Sequence, residues 1–527
     1  MLPSQRRMLF AFLLITNFVY FISSAYVICS NDGSHFALVS ALVEQKSVKI
    51  RDFISYTEMM DYAYKDGEYY SDRAPGTAFL SIPFYILGKI LRETGIGKYL
   101  SGHENICEVF VIFLPNIAGT LAVLLLFKLL TFFGFGFGPS LFSSLLFAFT
   151  TLAWFESTHL FSHAISMLMV LGAVYLVVTT KRLDSAHMRH FLGMSALLSF
   201  ASITEIQNVL LIGPFLLYVL LSRKIDVRKI LNRDVLVPLL LAMLLFIAIY
   251  SSLLVYNFVA FNEMTIKSNK YNPNFPEERS FATSLSGDFL VGLDRLFTNV
   301  FNSEVILDWT KGTRNNTPGV LVTSPILLLS LIGFYYLFRT KRHETFFFLL
   351  LILTEAVIVS LHRTVLTRHV TTVLPFVFLP VVFVVKGSFE QLGNTGNSLL
   401  KRCWLLSLIL ILSVLSAARV FYIMNTYWGR SELPPFIFAR EIPSYLFFYG
   451  SLFLIHQSLR LCMSKHGGKL SLSASMGAFL AWVRLFVLCF GISGKFRRSA
   501  GLISAVLRLT GLEMGFQQFP HSSSGHF

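Results

Sequence analysis

Residues 66–91 read DGEYYSDRAPGTAFLSIPFYILGKIL, and the apolar half of this stretch, Thr77–Leu91, decides the fold. It holds Pro83, follows directly on charged sequence, and falls short of the roughly 20 apolar residues that cross a bilayer. It is therefore read as an interfacial or re-entrant helix. Counting it as a span would reverse the sidedness of every later loop.

The rest of the chain supports that choice. Of 527 residues, 54% are hydrophobic and 14% are charged, against about 25% charged in an ordinary soluble domain. The class is an all-α polytopic membrane protein. Net charge is +15. The Lys and Arg residues stand in short clusters between apolar runs, with no basic stripe and no nucleic-acid motif, so nucleic acid is excluded as a partner.

Spanning runs are expected near Met8–Ile28, Glu108–Phe133, Pro139–Phe155, Leu160–Thr180, Phe191–Ile203, Val209–Leu221, Val235–Tyr256, Leu321–Phe338, Thr345–Leu361, Val370–Val385, Trp404–Tyr422 and Ile442–Leu459. That is about twelve transmembrane helices, the first an uncleaved helix behind Arg6 and Arg7. With those arginines inside, the basic loops at 181–190, 223–229, 339–343 and 401–402 also fall inside, and only the uncharged GFGFG at 134–138 carries no sign. The expected domains are a transmembrane unit, 1–460, and a basic and apolar cytoplasmic tail, 461–527, ending in a segment that reads as disordered. Cys29 and Cys107 share the outer side and read as isolated thiols or as a disulfide; none of the five cysteines forms a metal pattern.

The opposite face collects the polar residues, which suggests a shared cavity. Directly after the first span, SNDGSHF (30–36) offers Asp32 and His35. Asp32 suits a general base, and Asn-Asp-Gly equally suits a turn. Arg73, beside Asp72, has the planar fork that grips a phosphate, although an arginine at this depth also snorkels to head groups. Tyr69 and Tyr70 suit packing or sugar stacking. In ESTHLFSH (156–163), Glu156, His159 and His163 line the cavity; the two histidines, four apart, would share a helix face, but no third metal ligand follows. Glu205 stands between two apolar runs, where a carboxylate needs a partner or solvent. The turn HRTVLTRH (362–369) adds Arg363, Arg368 and His369 as phosphate ligands. The long 257–320 loop could cover the site. No nucleotide-binding glycine motif occurs.

Together, the acidic end of the first span, DGEYYSDRAPGTAFLSIPFY, TEIQ (204–207), GVLVTSPILLL (319–329) and RHVTTVLPFVFLP (368–380) resemble the integral-membrane GT-C glycosyltransferases. These polyprenyl-phosphate-sugar-dependent enzymes include protein O-mannosyltransferases and the aminoarabinose transferases of lipid A. The resemblance reaches to about residue 385 and is greatest to a bacterial group with a YYSDKxPG loop, Arg73 standing for the Lys. It implies inverting transfer, with Asp32 as base, Arg73, Arg363, Arg368 and His369 on the donor phosphate, and His35, Tyr69, Tyr70, Asp72, Glu156, His159, His163 and Glu205 around the substrates. It implies a polyprenyl-phosphate sugar as donor substrate, no obligate cofactor, membrane lipids and an acceptor as partners, and an extracytoplasmic site in a bacterial inner membrane. Many members carry a second acid next to the first; here that neighbour is Asn31, which weighs against a metal pair. The competing function is a transporter or flippase, which would show internal repeats and broken mid-membrane helices.

Overall fold

The computed structural model describes residues 2–24, 27, 29–94, 105–180, 188–222, 232–275, 319–361, 367–393 and 399–428. The expected span near Ile442–Leu459, the tail 461–527 and Arg363 lie outside the described residues.

The described chain is almost wholly helical. Helix α1 (Pro3–Ile22) starts on a proline, whose missing N–H costs nothing at a first helical position. It exposes Phe10, Leu14 and Phe18 and buries Thr16, Val19 and Tyr20. Helices α2 (Ser30–Ser40), α3 (Gly76–Glu93), α4 (Ile106–Val111), α5 (Phe113–Phe132), α6 (Phe137–Thr150), α7 (Leu152–Glu156), α8 (Ser162–Thr179) and α9 (Met188–Thr204) follow. Then come α10 (Ile212–Leu221), α11 (Arg233–Phe261), α12 (Val320–Thr323), α13 (Leu329–Thr340), α14 (Arg342–Leu361), α15 (Leu374–Phe378), α16 (Val381–Gly393) and α17 (Leu399–Trp428). The bundle core is built where α5 packs on α8, α8 on α9 and α9 on α11. Tyr20 ties α1 to α6 by donating to the Ala148 carbonyl at 3.0 Å.

Among the described residues, five helices are long and apolar enough to cross a membrane: Ile106–Phe132, Ser162–Thr179, Arg233–Phe261, Val370–Gln391 and Trp404–Phe421. Along α11, Leu240, Leu244, Ile247, Val255 and Phe258 stay exposed, as lipid-facing side chains must. Several runs that read as single spans are interrupted. The 139–155 run breaks at Thr151, whose hydroxyl caps α7 by accepting from the Ala153 N–H at 3.2 Å. Pro325 follows the break between α12 and the 3₁₀ helix Pro325–Leu328, and Pro375 and Pro380 accompany the breaks around α15. Proline removes a helical donor and crowds the preceding turn.

The stretch 29–94 is a folded unit with its own core, in which Phe36, Ile50, Tyr85 and Val109 meet Tyr256 and Phe261 of α11. After α2, a 3₁₀ helix (Arg51–Thr57) leads to an antiparallel hairpin, β1 (Ala63–Lys65) and β2 (Glu68–Tyr70). Its turn residues, Asp66 and Gly67, have φ 52° and 80°. Positive φ at both positions is what the tightest hairpin turn requires, and Asp-Gly supplies it. Helix α3 is tethered through Glu44, which accepts from Tyr85 at 3.1 Å, Lys89 at 2.8 Å and Arg92 at 2.6 Å. It buries Ala78, Ser81 and Tyr85 and exposes Ile86, Leu87 and Ile90. Cys29 and Cys107 are not bonded to each other.

Two glycines set how this unit docks. A Cβ on Gly33 would lie 1.8 Å from the Tyr56 carbonyl oxygen, so α2 and the 3₁₀ helix touch through bare backbone. A Cβ on Gly76 would lie 2.6 Å from the Ile203 carbonyl oxygen, so the start of α3 abuts the end of α9. Gly33→Ala and Gly76→Ala should each cost about 1–3 kcal/mol through overpacking. Gly213→Ala, where a Cβ meets nothing within 4 Å, should be neutral or stabilising. Thermal melts of the detergent-purified variants check this; a wild-type melt for Gly33→Ala would contradict the packing.

Candidate active site

The contact of Gly76 with α9 brings the SDRAPG loop beside Glu205. At the centre of the loop, Arg73 pairs with Asp61 at 2.6 Å and with Asp72 at 3.4 Å. Its side chain keeps 32% of its surface exposed against 10% for Asp61, so its partners do not seal it. Asp61 also accepts from the Ser30 hydroxyl at 2.7 Å, which fastens the pair to the first residue of α2. Asp72 is buried and accepts from Ser34 at 3.2 Å and from Asn272 at 2.8 Å. Asn272 donates in addition to the Met60 carbonyl at 2.9 Å, so the segment after α11 is laced to the first loop. Tyr256 donates to the Ser71 carbonyl at 3.0 Å.

Asp32 is the third residue of α2 and is buried. Its Oδ1 accepts from the backbone N–H of Cys29 at 2.9 Å and of Gly33 at 3.0 Å. SNDG is thus a helix start and not a free turn, and the cap fixes the carboxylate. Glu108, at the head of the next membrane helix, lies within electrostatic reach of Asp32 and accepts from Tyr56 at 2.8 Å. It is a second acid near Asp32, distant in sequence. His35 is buried, and its Nδ1 has no hydrogen-bond partner. Burial, then the charges of Arg73 and His163, push it down to about 3 against the opposing pull of Asp61 and Glu205, so its imidazole is neutral.

Glu205 follows α9 and precedes the 3₁₀ helix Ile206–Leu211. It pairs with His163, the second residue of α8, and accepts from Ser162 at 2.9 Å and from Thr372 at 3.2 Å. Thr372 belongs to the 3₁₀ helix Thr367–Val373, so this helix reaches the cluster through the Thr372 hydroxyl.

Other expected site residues stand elsewhere. His159 and His163 do not share a helix face, because the chain turns between α7 and α8. His159 instead engages Thr158 at 3.0 Å and the Phe155 carbonyl at 2.9 Å, its ring stacked on Phe161. Glu156 is buried at the end of α7. Tyr69 packs against Tyr62 and Tyr64, and Tyr70 against Phe261, so both serve the hairpin's packing. Among the described residues, no group of three or more His, Cys, Asp or Glu could hold a metal ion.

Fold and site define a multi-pass helical membrane protein with a buried acid–arginine centre formed by its first loop. A crystal structure of ArnT from Cupriavidus metallidurans bound to undecaprenyl phosphate is similar at TM-score 0.52 and 13% identity, over 86% of this chain and 77% of that one. The apo form of the same ArnT gives TM-score 0.49 and 14% identity, over 85% and 77%. The archaeal oligosaccharyltransferase AglB from Archaeoglobus fulgidus, in complex with an inhibitory peptide and a dolichol-phosphate, gives TM-score 0.47 and 12% identity, over 82% and 59%. The likeness to that ArnT structure shows that this chain shares its fold. No protein-family model and no curated protein sequence matches the chain.

Burial raises the Asp72 carboxyl from 3.8 to about 6; Arg73 lowers it and Asp61 raises it. Between those values the folded protein holds a proton that the unfolded chain has released. Stability from this group is therefore lost as pH rises through that window. On going from about pH 4 to about pH 7, the melting temperature of the wild type should fall relative to that of Asp72→Asn. Parallel profiles would contradict the assignment.

Proposed function

We propose that the chain is an inverting glycosyltransferase that moves a sugar from a polyprenyl-phosphate carrier to an acceptor hydroxyl. It works at the extracytoplasmic face of a bacterial inner membrane, in a protein of about twelve spans. The observation that carries the proposal is the capped, buried Asp32 on the helix start that Ser30 ties, through Asp61, to a partly open Arg73. The sidedness rests on the basic loops that alternate with this face.

Chemistry follows from the two side chains. Asp32 accepts the proton of the acceptor hydroxyl. The oxygen attacks the anomeric carbon on the face opposite the phosphate, and the bond from that carbon to the phosphate oxygen breaks with inversion. The electron pair leaves with the carrier. The donor is a phosphodiester with one negative charge; the product is a monoester that gains a second. A guanidinium at that oxygen is worth more in the transition state than in the ground state, which is the condition for catalysis. Arg363, Arg368 and His369 are proposed as further phosphate ligands. The backbone N–H groups that hold Asp32 keep one rotamer, so the base needs no reorganisation.

Transfer from a radiolabelled polyprenyl-phosphate sugar in membranes tests this. Asp32→Asn should lower kcat about 10²–10⁴-fold and Arg73→Ala about 10²–10³-fold, with Arg73→Lys in between because it keeps the charge and loses the fork. Full activity in both Asp32→Asn and Arg73→Ala would overturn these assignments. Wild-type membranes that transfer no sugar from any polyprenyl-phosphate donor would overturn the function.

A further inference from the structure

Helix α14 carries a carboxylate that the chemistry above leaves unused. Glu355 is buried in an otherwise apolar run, about 9 Å before the last residue of α14 at 1.5 Å per residue. Neither of its oxygens has a hydrogen-bond partner. An uncompensated acid in apolar surroundings is costly, and within a membrane segment it marks a ligand position. The contrast with Glu205, which is satisfied by His163, Ser162 and Thr372, is direct.

The surroundings of Glu355 indicate the ligand. Helix α14 packs on both short helices that frame Glu205, Ile206–Leu211 and Thr367–Val373. Glu205 is within electrostatic reach of Glu355. His35 in turn feels His163 and Glu205 as well as Arg73 and Asp61, so it is within electrostatic reach of both this cluster and the arginine centre. Its Nδ1 is buried and without a partner as well. Two carboxyls and an unengaged imidazole nitrogen therefore approach one region from α14, from the end of α9 and from α2. The two Glu355 oxygens lack donors. A lipid tail supplies none, and a phosphate would be repelled. A sugar ring, dense in O–H or N–H groups, is complementary.

We propose that Glu355, with Glu205 and His35, forms the subsite that recognises the hydroxyl or amino groups of the sugar on the lipid-linked donor. The inference rests on the donor class proposed above. It separates two tasks: Arg73 holds the carrier's phosphate, and Glu355 reads the sugar.

The test is equilibrium binding to the purified full-length chain in detergent. The probes are undecaprenyl phosphate and undecaprenyl phosphate bearing a hexose, a pentose or an aminopentose. Wild type should bind at least one glycosylated carrier about tenfold or more tightly than the bare carrier. Glu355→Gln and Glu355→Leu should abolish that increment and leave bare-carrier affinity within about twofold of wild type. Glu355→Leu removes a buried acid for an apolar side chain, so it should melt no lower than wild type and serves as the folding control. An increment retained in Glu355→Leu overturns the proposal. So does an equal loss of affinity for bare and glycosylated carriers, and so does a wild type that binds the bare carrier without an increment for any sugar. A wild type that binds no form of the carrier overturns the donor class itself, and this subsite with it.

Discussion

The site depends on one ion pair, Arg73 with Asp61. Asp61 reaches it from the loop after the first 3₁₀ helix and, through Ser30, holds the start of α2. Arg73 comes from the loop that Gly76 presses against α9. Removing the arginine would leave Asp61 and the buried Asp72 facing each other without a cation. Breaking a buried pair from one side costs about 3–5 kcal/mol, more than such a pair contributes when intact; the partial exposure of Arg73 puts this one toward the lower end. The same pair positions Asp32, two residues beyond Ser30. Structural and chemical demands therefore fall on the same few side chains.

Partial exposure resolves an apparent conflict. Arg73 already has two carboxylates, so an approaching phosphate meets a centre with a net negative charge if both are ionised. Burial raises the Asp72 carboxyl to about 6, so the trio comes closer to neutral as pH falls toward that value. An anion can then take the open edge of the guanidinium without dismantling the pair that holds α2.

Much of this was legible in the sequence. Hydropathy and the basic loops gave the membrane class, and the order of the polar motifs gave the fold resemblance. Asp32, Asp72, Arg73, His163 and Glu205 all sit where separate apolar runs end, and chain ends on one side of a bundle tend to meet. The hairpin was also signalled, by Asp66-Gly67 between two Tyr-rich segments. Asp61 was not legible, because an acid in a long loop shows no partner until the loop folds. Glu108 escaped as the second acid because the chain separates it from Asp32 by the whole first loop. The shared helix face expected of His159 and His163 did not form, because a spacing of four gives one face only within an unbroken helix. Glu355 carried a clear sign, a lone acid within an apolar run.

The central claim is that a lipid phosphate docks where the first loop, α2 and the end of α9 converge. Photo-crosslinking of the purified chain with a polyprenyl phosphate bearing a diazirine beside its phosphate, followed by peptide mapping, tests it most directly. Labels should fall within residues 30–36, 71–76 and 203–208, and unlabelled polyprenyl phosphate should compete them away. Competable labels confined to other segments, with none in these three, would contradict the account.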